Sequence, residues 1–175
     1  RPLEREPVDL SRLVVDVVSD AHVAGPGHTW KLDIPQRSFI TVGDSARLHQ
    51  AVANLLANAR THTPAGSIVS TSLSLDAAGN AALSVVDNGP GIPADLLPEI
   101  FERFARGDTS RSRAAGSTGL GLAIVAAVVE AHLGTVTVTS GPGRTEFTLS
   151  LPLTTVDGES QALHSGLTAA GKLGP

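Results

Sequence analysis

The run DSARLHQAVANLLANARTHT, Asp44 to Thr63, reads as one helix. Asp44 is a good N-cap, because its carboxylate can accept hydrogen bonds from the unpaired amides of a first turn. Leu48, Val52, Leu55, Leu56 and Ala59 recur at helical spacing and form an apolar stripe fit for a core. Asn54 and Asn58 stand one turn apart, so they stack on one face beside that stripe. Two amides so placed either line the edge of a pocket or face solvent. Asn is a poor helix former, which leans toward the pocket.

At 175 residues the chain fits one domain with a core of its own. The net charge is -4 and the basic residues are not pooled on one element, which argues against nucleic acid as the main ligand. With no cysteine there is neither a disulfide framework nor a cysteine-based metal site. The six histidines are scattered, with no pair at metal-ligand spacing on one element. No apolar run approaches a membrane span and the first residues carry no signal-peptide pattern. A soluble domain without direct membrane contact is expected.

Outward from the central helix, Arg1 to Pro7 is charged, contains two prolines and reads as a linker. Asp9 caps a helix whose buried face is Leu10, Leu13, Val14, Val17, Val18 and Ala21, ended by Gly25, Pro26 and Gly27. Thr29 to Ile34 and Phe39 to Val42 read as strands, expected to pair as a hairpin about Pro35 to Ser38. Beyond the central helix, Ile68 to Leu75 and Ala81 to Val86 form a strand pair about a turn at Asp76 to Asn80. Ala94 to Phe104 is a helix-like turn. Ala105 to Ser117 has no apolar periodicity and is expected to be mobile. Gly119 to His132 is an apolar helix, and Thr135 to Thr139 with Thr145 to Leu151 make a last hairpin. From Thr154 the pattern fades into a tail expected to be disordered. This order predicts a two-layer α/β sandwich, with a mixed, mostly antiparallel sheet and three main helices on one face.

Three stretches carry chemistry. DNGPGIP, Asp87 to Pro93, follows a strand. Gly89 and Gly91 can take positive φ and let a ligand approach the backbone, and the Asp87 carboxylate suits an exocyclic amine such as that of adenine. Alone, the same residues also fit an ordinary turn. GSTGLGLAIV, Gly116 to Val125, is a glycine-rich loop opening into a helix, whose free amides favour an anion. It matches neither the P-loop nor the dinucleotide pattern. Between them, in EIFERFARGD, Phe101 and Phe104 can anchor a loop whose Arg103 and Arg106 bring positive charge toward a polyphosphate. Arg111 and Arg113 fit a solvated basic loop equally well.

In this order and spacing, the stretches resemble the ATP-binding catalytic domain of bacterial sensor histidine kinases, within the family shared with gyrase, Hsp90 chaperones and MutL. The helix with Asn54 and Asn58 looks like the N box, DNGPGIP the first glycine box, FERF the F box and GSTGLGL the second glycine box. GPGRTEFTLSLPL looks like the closing segment. The similarity spans roughly Val8 to Leu153.

The resemblance implies a Bergerat-type fold at residues 8–153, preceded at 1–7 by a linker from a dimerisation hairpin and followed at 154–175 by a flexible tail. It implies that Asn58, assisted by Asn54, holds Mg2+ and that Asp87 reads adenine. Thr61, His62, Gly89, Gly91 and Ile92 would sit beside the nucleotide. Arg103, Arg106, Thr118, Gly119, Leu120, Gly121 and Leu122 would belong to the phosphate side and the lid. Many members carry Lys and Tyr where this chain has Thr61 and His62, which implies modest nucleotide affinity. Hydrolysing members carry Glu where Asn54 stands, so this site is expected to hold ATP rather than hydrolyse it. The implied partners are ATP, an upstream phosphoacceptor hairpin whose His motif does not occur in these residues, and a cognate response regulator. The implied setting is the cytoplasmic part of a membrane-anchored sensor. An anti-sigma-type serine kinase on the same fold and a non-catalytic nucleotide-binding module are the alternatives.

Overall fold

The computed structural model describes residues 1–101 and 119–154. A short strand β1 (Glu6–Asp9) leads into α1 (Leu10–Ala24), where the Asp9 carboxylate accepts the Arg12 amide at 3.2 Å as the N-cap. Strands β2 (Thr29–Asp33) and β3 (Ile40–Gly43) precede α2 (Ser45–Thr61). Asp44 caps α2 as expected, accepting the Arg47 amide at 3.1 Å, and all five residues of the predicted stripe are buried. The chain continues through β4 (Ile68–Leu75), β5 (Ala81–Asp87) and a single 3-10 turn (Leu97–Glu99). It closes with α3 (Gly119–Ala131), β6 (Thr135–Gly141) and β7 (Arg144–Leu151).

Five strands form one sheet in the order β2-β4-β5-β7-β6. Only β2 and β4 run parallel; the other pairs are antiparallel. Helix α2 packs on both α1 and α3. The core-facing rows alternate along each strand: Val69, Thr71 and Leu73 on β4, Ala81, Leu83, Val85 and Asp87 on β5, Thr145, Phe147, Leu149 and Leu151 on β7. Two of those rows end in a polar residue at the same end of the sheet, and their register pairs Asp87 with Thr145. This is the expected layered sandwich with a mixed, mostly antiparallel sheet. Among the described residues no helix is long and apolar enough to cross a membrane.

Two expectations are corrected. The strands at Thr29 and Phe39 do not form a hairpin. β2 runs parallel to β4, from Thr29 opposite Ile68 to Asp33 opposite Ser72, and β3 pairs antiparallel with β1, from Glu6 opposite Gly43 to Asp9 opposite Ile40. The connection from β2 to β4 contains α2, which packs over the sheet, and such a crossover delivers the next strand parallel. Phe39 turns into the core rather than into a ladder, and its carbonyl accepts the Leu10 amide at 2.8 Å. The end of the expected linker is also structured, since Glu6 and Pro7 belong to β1. Pro7 is tolerated because β1 has one partner strand and an open edge. The expectation for the loop at 105–117 lies outside the described residues, as does that for the tail at 154–175 apart from Thr154, whose amide donates to the Ile40 carbonyl at 2.9 Å.

Candidate functional site

At the sheet end where the core-facing rows turn polar, the Asp87 side chain points toward the helical layer and is 7% exposed. Its Oδ1 accepts the Gly89 amide at 3.0 Å. Burial pushes its carboxyl above the usual carboxylate range, while the Gly89 amide and the nearby His62 pull it back. The glycine turn then leaves the strand. Asn88 is tied to β4, its Oδ1 accepting the Ile68 amide at 2.8 Å. A Cβ on Gly89 would stand 2.5 Å from the Thr63 methyl and 3.0 Å from the Asp87 carboxylate, so the space requires glycine there. Gly91 alone of the two has positive φ, at 89°, and its Cβ position lies 2.5 Å from the Gly141 carbonyl oxygen. Of the two glycines able to take positive φ, only Gly91 does so here. Ile92 is half-buried against the core, and its amide donates to Ser140 Oγ at 2.8 Å.

The helix α2 supplies the other wall. Asn58 is 8% exposed, on the helix that packs the same face of the sheet toward which Asp87 points. Among the described residues no hydrogen bond engages its side-chain amide, and its carbonyl accepts the His62 amide at 3.1 Å. Asn54, half-buried, reaches from Nδ2 toward the Gly121 carbonyl at 3.5 Å, a long contact that ties α2 to the start of α3. At the C-terminal end of α2, Thr61 is exposed with its hydroxyl on the Ala57 carbonyl. His62 lies exposed beyond it. Although its surface is exposed, neighbouring atoms take part of the water from its ring and lower its imidazole pKa, against the upward pull of Asp87. His62 thus lies within electrostatic reach of Asp87.

Helix α3 begins at Gly119, so Gly119, Leu120 and Gly121 form its first turn. Leu122 is buried in the core, so its side chain packs rather than meeting a ligand. Phe101 packs edge-on against Phe147, with ring centroids 6.0 Å apart, as the anchoring role requires. Arg103, Phe104, Arg106, Arg111, Arg113 and Thr118 lie outside the described residues.

Three hydroxyl residues at this site were not anticipated. Thr63 is buried under Gly89, its Oγ1 donating to the Ala59 carbonyl at 2.7 Å and meeting His28 Nε2 at 2.8 Å. Thr145 is 4% exposed and registers with Asp87. Ser140 Oγ lies 2.7 Å from Thr145 Oγ1 and holds the Ile92 amide. Thr145 and Ser140 become legible only when β7 is known to pair with β5 and with β6, a long-range register that local patterning does not specify, and Thr63 only from its contact with the Gly89 turn.

Residues 43–155 match the sequence profile of the family described as histidine kinase-, DNA gyrase B-, and HSP90-like ATPase. The probable sensor histidine kinase TcrY of Mycobacterium tuberculosis is 68% identical over 153 residues, which cover 87% of this chain and 32% of that protein. The sensor histidine kinase TrcS of the same organism is 46% identical over 155 residues, covering 86% of this chain and 30% of that protein. The chain thus spans about a third of the length of these curated relatives. Among solved structures, the ATP binding domain of PrrB from Mycobacterium tuberculosis superimposes with a TM-score of 0.69 at 32% identity, covering 87% of this chain and 99% of that one. The mycobacterial sensor histidine kinase MprB gives a TM-score of 0.72 at 31% identity, covering 85% of this chain and 97% of that one.

Proposed function

The chain belongs to the histidine kinase-, DNA gyrase B-, and HSP90-like ATPase family, and we propose that it binds Mg-ATP and presents the γ-phosphate to a histidine on a dimerisation hairpin. The reading is supported most by one juxtaposition. A nearly buried carboxylate, Asp87, ends a core-facing strand row, and a nearly buried amide, Asn58, lies on α2 just over one turn before Thr63, whose side chain lies against Gly89 of the glycine turn.

Each group has a part. Asp87 accepts the exocyclic amine of adenine, in a dry setting where that hydrogen bond counts. Asn58 offers Mg2+ one neutral oxygen. Such a site suits Mg2+, which keeps most of its waters and takes its remaining ligands from phosphate oxygens. Asn54, directed at the Gly121 carbonyl, sets the spacing between α2 and α3. The free amides at the start of α3, from Gly119, Leu120 and Gly121, face the phosphates, aided by Thr118, Arg103 and Arg106. Thr61 and His62 replace a cation and a larger aromatic ring, so affinity for nucleotide is modest.

In the transfer the Pγ–O bond to the β-phosphate breaks, a P–N bond forms to the imidazole, and ADP leaves. Mg2+, when bound, neutralises charge on the phosphates. Asn54 is no base, so water is not activated and the phosphoryl group is kept for the histidine. A cognate response regulator then receives it.

Incubation with a dimerisation hairpin from a sensor kinase relative and γ-labelled Mg-ATP should place an acid-labile, base-stable label on the hairpin histidine. Label on serine would replace this reading with a serine kinase. Absence of ATP binding by calorimetry would leave only a non-catalytic module.

A further inference from the structure

The loop Asp87 to Pro93 is held in two halves. The first half is tied to β4 through Asn88, whose Oδ1 accepts the Ile68 amide and whose amide donates to the Ile68 carbonyl at 3.3 Å. The second half rests on the far hairpin. Gly91 lies against the Gly141 carbonyl, and the Ile92 amide donates to Ser140 Oγ at 2.8 Å. Among the described residues, Ser140 makes the one hydrogen bond that ties this second half to another element. Its hydroxyl also meets the buried Thr145 hydroxyl at 2.7 Å, and Thr145 stands opposite Asp87 in the β5–β7 ladder. A continuous path therefore runs from the Ile92 amide through Ser140 to the strand position facing Asp87.

From this geometry we infer that Ser140 is a positioning residue for nucleotide binding. It fixes the second half of the glycine loop relative to Asp87 and so sets the width of the slot that receives the base. The inference rests on the nucleotide reading above and adds to it a residue on a different hairpin. Removing the hydroxyl leaves the half-buried Ile92 amide without its partner, and the loop drifts from the strand that carries Asp87. Because the hold is at the base end of the site, ATP and ADP should be affected alike.

The test compares wild type with Ser140→Ala, Ser140→Thr and, as a control on the same strand, Thr139→Ala. Thr139 is exposed and points to the opposite face. Calorimetry should give Ser140→Ala dissociation constants for Mg-ATP and Mg-ADP raised about tenfold, and equally. Hydrogen exchange at the Ile92 amide should quicken, and the melting temperature without nucleotide should fall by only a few degrees, about the cost of one lost hydrogen bond. Ser140→Thr keeps an oxygen in place on a residue strands favour, and should restore both affinity and protection. Thr139→Ala should bind as wild type does. Unchanged affinity in Ser140→Ala overturns the assignment, as does a lowered melting temperature with intact affinity, or a failure of Ser140→Thr to rescue. Wild-type protein that bound no nucleotide would overturn the nucleotide reading itself, and this assignment with it.

Discussion

Asp87 serves two opposed ends. Burial raises its carboxyl pKa above the unfolded value, so the folded chain prefers it protonated. The stability that preference confers is complete below the unfolded pKa and is lost as pH rises through the folded one. At neutral pH the carboxylate is therefore a cost to the empty domain, and in the proposed function it becomes an asset once a ligand amine is in place. Asp87→Asn should raise the melting temperature of the nucleotide-free protein at neutral pH, with the gain vanishing in acid. The same change should weaken ATP binding by about 1.5–3 kcal/mol, the usual worth of a hydrogen bond to a charged group. Calorimetry and thermal scans on one preparation check both signs. Leu133 offers a second test at this scale. It ends α3 with φ of 61° while its side chain is 78% exposed. A bulky residue there bears the left-handed strain with little burial in return. Leu133→Gly should stabilise the fold by roughly 1 kcal/mol, measured by urea unfolding. The N-cap at Asp44 and the apolar stripe of α2 were legible because each depends on neighbours within two turns.

Elements were legible where pattern is local and obscure where pairing is distant. The hairpins at Asp76–Asn80 and Gly141–Gly143 follow from turn residues between alternating runs, and both form. The supposed hairpin between Thr29 and Val42 had two strands and a turn, yet α2 in the next connection claims β2 for a parallel ladder with β4. β3 then pairs with β1, in a segment that its prolines had marked as a linker. The same blindness hid Thr145 and Ser140, which reach the site only because β7 lies beside β5. The glycine loop shows what such long-range contact costs in tolerance. Gly91 needs positive φ for its own turn and absence of a side chain for its seat on the β6–β7 turn. Gly91→Ala violates both, and neither backbone can yield cheaply. It should destabilise the fold by about 1–3 kcal/mol and lower ATP affinity as well, seen in paired urea and calorimetry measurements. Wild-type affinity in that variant would mean that the loop is not part of the binding wall.

Asp44 joins distant parts of the molecule at one buried point. Its carboxylate caps α2 through the Arg47 amide, accepts the Glu4 amide at 3.2 Å, and lies 3.9 Å from the Arg1 guanidinium and 3.5 Å from that of Arg47. Its own amide donates to His132 Nε2 at 2.9 Å, at the far end of α3. Since that amide can only donate, the His132 Nε2 is the acceptor, and Nδ1 carries the hydrogen given to the Val128 carbonyl at 2.7 Å. The first residues, the capped end of α2 and the end of α3 thus share one set of hydrogen bonds, and the two helices that frame the candidate site are fixed to each other at the end of α2 remote from Asn58. Burial alone would raise the Asp44 pKa, but the Arg47 and Glu4 amides with the Arg1 and Arg47 guanidiniums outweigh it and hold the carboxyl below its usual value. Such a group contributes stability that is present above the unfolded pKa and lost as pH falls through the folded one. Asp44→Asn keeps a capping oxygen and removes the charge. It should lower stability at neutral pH, and the difference from wild type should shrink as pH falls through the lowered pKa of the native carboxyl. The two Asp→Asn exchanges therefore have opposite signs at neutral pH, at 44 a loss and at 87 a gain, and both differences shrink in acid. Urea unfolding of the two variants across that range checks this, and equal signs at neutral pH would show that burial, rather than the amides and cations around it, governs Asp44.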